Sequence, residues 1–114
     1  MFAVSDDRFD QLIAEALESI PDDLASAMEN VAIFVEDEAE GRNLLGLFVG
    51  VPLTKRSPQS YFGVMPDRIT LYKNAICRAS NSEQEVREQV TTTLIHEVAH
   101  HFGISDKRLR ELGW

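Results

Sequence analysis

A chain of 114 residues, 44% of them apolar and 26% charged, has room for one modest core and none for a second lobe over a cleft, so any substrate groove is expected to be shallow. The net charge of −8 and sequence pI of about 4.7 argue against a nucleic-acid partner, which needs clustered Lys and Arg, and no apolar run approaches membrane-spanning length. The expectation is a single globular domain over residues 1–114, with no nucleic acid and no membrane as partner.

Phe9, Leu12, Ile13, Ala16, Leu17 and Ile20 recur at three- and four-residue intervals, which predicts an amphipathic helix over 5–20 with Ser5 or Asp6 as N-cap and Pro21 as its end. Its first residues, MFAVSDDRFDQL, are acidic where a signal peptide is basic and then apolar, so the expected location is cytoplasmic. DDLASAMEN predicts a second short helix with Leu24, Ala27 and Met28 facing inward. Val31, Ile33 and Val35 alternate with Ala32, Phe34 and Glu36; both faces are mostly apolar, which predicts a central strand covered on both sides. EDEAEGRN reads as an exposed loop, and its acidic spacing matches no calcium loop.

LLGLFVGV at 44–51 predicts a second strand in which Gly46 and Gly50 mark a bulge or the close approach of another backbone. Residues 52–60, with two prolines and a Lys-Arg pair, read as a loop and as a candidate substrate rim. A short strand at 61–65 and a firmer one at 68–72 follow the same logic of alternation. Which strand forms the exposed edge is not written in the pattern. Cys77, the one cysteine, excludes an intrachain disulfide and reads as a small apolar residue near the end of a strand.

Two overlapping capping boxes, Ser80 with Glu83 and Ser82 with Glu85, predict a long helix from near 82 to about 102. At about 100° per residue, Leu94, Ile95, Val98, Ala99 and Phe102 form one apolar band, while His96 and His100 fall together outside it. His96, Glu97 and His100 spell HExxH. Residues four apart stand one above the other, so both imidazoles can address one ion, and Glu97, about 100° further round, can take a proton from a water beside it. Gly103 accepts positive φ and so ends the helix in a sharp turn, which brings Asp106 within reach as a third ligand and leaves a fourth zinc position open. Ser105 or Asp106 could instead cap a last short helix through Leu112, ended by Gly113 and docked by Leu109, Leu112 and Trp114. His101 lies well away from the histidine pair on the helical wheel and reads as a supporting or surface residue, not a ligand.

HEVAHHFGISD fits the HExxHxxGxxD form of the zincin clan, and the chain resembles small bacterial zincin-like proteins described as metallopeptidases. The resemblance extends to NVAIFVED at 30–37, LLGLFVGVPL at 44–53 and PDRITLYKNAI at 66–76, and so to most of the chain. It implies an α+β minimal zincin-like fold: N-terminal helices, a small mixed β-sheet, a central active-site helix and a short C-terminal helix. It also implies zinc held by His96, His100 and Asp106, with Glu97 catalytic. Glu111 is the reserve ligand, in the manner of zincins whose third ligand is a glutamate from a later helix. An extended substrate would lie antiparallel along an edge strand near the metal. The chain departs from metzincins in that no methionine follows Asp106, so support that a Met-turn gives must come from elsewhere.

The leading functional expectation is a zinc metallopeptidase acting on a peptide or protein, with Glu97 as general base. Hydrolysis of a small amide or ester is a second enzymatic reading. A zinc-bearing interaction module with little turnover is the alternative from another class, against which the carboxylate at position 97 argues, since a structural zinc has no use for a base.

Overall fold

The computed structural model describes residues 1–29, 31–41, 43–50, 67–111 and 113–114. The predicted loop at 52–60 and strand at 61–65 lie outside the described residues.

Helix α1 runs Asp6–Ser19 and begins as predicted, the Ser5 hydroxyl accepting the Arg8 N–H at 3.1 Å. It buries Phe9, Leu12, Ile13 and Ala16, and Ile20 just beyond its end, whereas Leu17 stays exposed on the rim of the stripe. A short α2, Asp22–Ala27, follows Pro21 and delivers Met28 to the core.

Strands β1 (Val31–Glu36), β2 (Gly46–Val49) and β3 (Asp67–Tyr72) form a mixed sheet in the order β1-β3-β2, with β1 parallel and β2 antiparallel to β3. The central strand among the described residues is therefore β3, with Ile69 and Leu71 fully buried, and not β1 as the alternation suggests. Phe34 and Val35, at 42% and 39% exposure, stand on the outer half of an edge strand. Apolar residues on both faces report β-propensity equally well in either place, and the parallel pairing that sends β1 to the side is a long-range choice.

The chain then turns directly into α3, Lys73–Arg78, which buries Ala75, Ile76 and Cys77. Cys77 is thus core, as its type suggests, but on a helix rather than at a strand end.

The long helix α4, Glu83–His101, is the axis of the molecule. One of its two candidate capping boxes is used: Ser82 accepts the Glu85 N–H at 3.1 Å, while Ser80 is fully buried and donates to the Ile76 carbonyl at 2.8 Å. Helix α1 lies along its first half, with an Arg87–Glu15 ion pair of 3.2 Å and an Arg8–Glu83 pair at the seam, and the sheet covers its second half. Val86, Val90, Leu94, Ile95, Val98 and Ala99 are buried between them. A fully buried residue such as Leu94 contributes about 1.5–3 kcal/mol, more than the half-exposed ion pairs, which are typically worth less than about 1 kcal/mol.

Phe102 departs from the predicted band. It is 55% exposed, because the helix has already ended at His101 and the chain is reversing direction. The reversal is a Schellman motif: Gly103, at φ +79°, donates to the His100 carbonyl, and Ile104 donates to the Ala99 carbonyl at 2.8 Å. Helix α5, Asp106–Glu111, follows and is docked by the fully buried Leu109.

Candidate metal centre

The Schellman turn folds α5 back so that its first residue meets the last two turns of α4. Asp106 Oδ1 lies 2.6 Å from His100 Nε2 and 3.7 Å from His96 Nδ1. One donor atom from each of the three side chains falls within 4.8 Å of the others. Among the described residues this is the one place where three His, Cys, Asp or Glu donors converge. Glu111 is turned elsewhere, its Oε2 3.1 Å from Arg108 Nη1. His101 is also outside the group and stacks on Phe48, ring centroids 4.1 Å apart.

Of the two candidate caps of α5, the neighbour of Asp106 is the one used. Ser105 Oγ accepts the Arg108 N–H at 3.1 Å and so caps α5, leaving the Asp106 carboxylate to face the histidines. The hydrogen bond with His100 holds the Asp106 carboxyl below the ordinary carboxylate range, against a smaller opposing effect of desolvation. That bias keeps the group anionic, the form a cation needs.

The donor set fits a zinc ion. Two imidazoles and a carboxylate are a catalytic zinc complement, and donors about 2.0–2.1 Å from a tetrahedral centre lie about 3.4 Å apart, between the two separations found here. The other ring nitrogen of His96, Nε2, is buried and has no hydrogen-bond partner among the described residues.

Glu97 sits on the flank of this group, half-buried, and its Oε2 accepts the backbone N–H of Phe48 at 3.3 Å. The donor is on β2. Tyr72 N–H bonds the Leu45 carbonyl, so in the antiparallel ladder Leu47 and Val49 are the paired residues of β2, while the main-chain groups of Gly46 and Phe48 point away from β3. Among the described residues the strand that faces the site is therefore β2, on the side turned away from β3. Phe48 has no signature in the sequence that marks it for this contact. The flanking glycines do: a Cβ at Gly46 would lie 2.6 Å from Thr93 Cγ2, and one at Gly50 would lie 2.6 Å from His101 Cε1. The close approach expected there is real: at Gly46 it comes from Thr93 and, at 3.2 Å, from the backbone oxygen of Thr70 on β3, and at Gly50 from the rings of His101 and Phe48.

Residues 28–114 match the family of zincin-like metallopeptidases. The chain belongs to that family. A solved structure of a conserved hypothetical protein from Thermus thermophilus is similar to it, with 23% identity over 86% of this chain and 94% of that one and a TM-score of 0.56. That likeness shows the shared fold. No curated protein matches the chain. Membership of the family implies zinc, and the five helices and mixed sheet of the described residues agree with the expected α+β minimal fold. Among the described residues no helix is long and apolar enough to cross a membrane.

The assignment of Asp106 carries its own expected result. Asp106→Ala should weaken zinc binding tenfold or more, as loss of one of three ligands demands, whereas Ser105→Ala should cost about 1 kcal/mol of stability and leave the zinc titration in place. Zinc titration and thermal melting of both variants separate the roles. Equal zinc affinity in the two would remove Asp106 from the ligand set.

Proposed function

We propose that this chain is a zinc-dependent peptidase in which His96, His100 and Asp106 hold the metal and Glu97 is the general base. The observation that carries the reading is the convergence of three metal-ligating side chains beside a carboxylate held by a main-chain N–H. Zinc, when bound, would act as a Lewis acid and make water a nucleophile near neutral pH.

Glu97 takes the proton of the attacking water and passes it to the leaving amine. Its position after His96 sets it beside the ligands rather than among them, and the Phe48 N–H restrains its carboxylate. The main-chain groups of Gly46 and the Phe48 carbonyl, which point away from β3, suit an extended peptide, which would add to β2 as an antiparallel neighbour and present its carbonyl toward the site. The substrate class that follows is a peptide or protein segment able to adopt β-structure.

A second reading, an interaction or regulatory module with zinc and little turnover, draws on the openness of the site: the side chains of His100 and Asp106 are 49% and 59% exposed. A shallow site offers little surface with which to grip a substrate.

A mixed peptide library at neutral pH decides between them. The expected result is a set of cleavage products with the zinc-loaded protein that disappears on chelation and returns with zinc. A zinc-loaded protein that cleaves nothing, with its fourth coordination position closed by a side chain, would favour the module.

A further inference from the structure

Helix α4 and strand β2 meet along matched intervals. Thr93, Glu97 and His101 are spaced by four residues on one ridge of the helix, and Gly46, Phe48 and Gly50 by two along the strand. Four helical residues advance about 6 Å and two strand residues about 6.6 Å, so three successive contacts stay in step. Thr93 Cγ2 fills the space over Gly46, Glu97 Oε2 meets the Phe48 N–H at 3.3 Å, and the His101 ring lies on Phe48 in the space over Gly50.

The middle contact is the one with chemistry. Among the described residues the Phe48 N–H makes the one hydrogen bond to the Glu97 carboxylate. A single bond fixes one oxygen only as well as the strand that supplies it is fixed. On one side Thr93, β-branched and stiff at χ1 in a helix, abuts Gly46. On the other side the helix is ending, and the work falls to His101, stacked on Phe48 at 4.1 Å and an interplanar angle of 25°. A Cβ at position 50 would come within 2.6 Å of His101 Cε1 and 2.9 Å of Phe48 Cε1, so the glycine admits the stack.

We propose that His101 is a positioning residue: packed on Phe48 in the space Gly50 leaves, it holds β2 in register with α4 and so keeps the Phe48 N–H on the Glu97 carboxylate. The inference rests on the reading of Glu97 as the general base. It assigns to His101 no metal and no proton. What it supplies is a flat ring, so phenylalanine should replace it and alanine should not. A base whose carboxylate swings away loses rate, since the orientation of the reacting groups enters the barrier.

The test is amide exchange followed by NMR on the zinc-loaded full chain, comparing Phe48 with Leu47, whose N–H belongs to the ladder with β3. His101→Ala should speed Phe48 exchange about tenfold, the equivalent of one hydrogen bond, and leave Leu47 unchanged. His101→Phe should restore the slow rate. In a Glu97→Ala background, where Phe48 has already lost its acceptor, His101→Ala should add no further acceleration. Zinc stoichiometry should be the same throughout, and with any cleaved peptide His101→Ala should lower kcat and His101→Phe should restore it. An unchanged Phe48 rate in His101→Ala, or equal acceleration of Phe48 and Leu47, would overturn the proposal, the latter by showing general loosening of β2. Absence of cleavage by the zinc-loaded wild type would overturn the peptidase reading alone, because the exchange pattern is read without a substrate.

Discussion

Alanine at His96 or at His100 is expected to abolish zinc binding, which in the unaltered protein is expected to be close to one zinc per chain. Each substitution removes one of three donors and breaks the i, i+4 pair on α4, and two remaining ligands on an exposed surface do not form a catalytic zinc site. The loss should fall on the metal and not on the fold. Both side chains are partly exposed, at 31% and 49%, and alanine is the best helix former, so α4 should keep its structure. Metal analysis after dialysis, with circular dichroism as the control, reads both quantities. Full zinc occupancy in the His96→Ala/His100→Ala double variant would show that the ligands lie elsewhere.

Glu97→Gln is expected to leave the fold and zinc affinity nearly intact while removing peptide hydrolysis, a loss of about 10²–10⁴-fold. Glutamine keeps the length and shape of glutamate, and its amide oxygen can still accept the Phe48 N–H, so the restraint from β2 survives. What disappears is the capacity to take a proton. Glu97 is also the residue on which the two functional readings differ, because an interaction module has no use for a base there. The measurement compares wild type, Glu97→Gln and chelated protein on the same peptide mixture. Cleavage persisting in Glu97→Gln would sink the mechanism and point to a contaminating protease.

Much of the candidate site was legible because its logic is local. HExxH makes sense only at the 3.6-residue period, and the apolar residues between and around the histidines declare that period on their own: Leu94, Ile95, Val98 and Ala99 are all buried, and His96 and His100 stand outside them. Gly103 was readable for the same reason, since a helix end followed by a reach back to Asp106 calls for positive φ, and the residue has it. Phe102 was misplaced because periodicity continues past the point where the backbone stops following it. The capping boxes show the same limit. Ser80 and Ser82 are equivalent on paper, and Ser82 is chosen because Ser80 is spent on the Ile76 carbonyl at the end of α3.

The sequence by itself determined the elements on which function depends: a capped helix carrying two histidines and a carboxylate at helical spacing, a glycine to end it, and an acid three residues later. These follow from short-range sterics and hydrogen bonding, which a few neighbouring residues specify completely. Only the tertiary structure decided the rest. That β3 is central and β2 faces the site depends on pairing across tens of residues, where β1 and β2 carry equally apolar patterns. That Ser105 caps while Asp106 turns to His100 depends on how α5 docks through Leu109. That Phe48 meets Glu97, and His101 meets Phe48, depends on the distance between a helix and a strand, which two glycines permit but no local pattern sets.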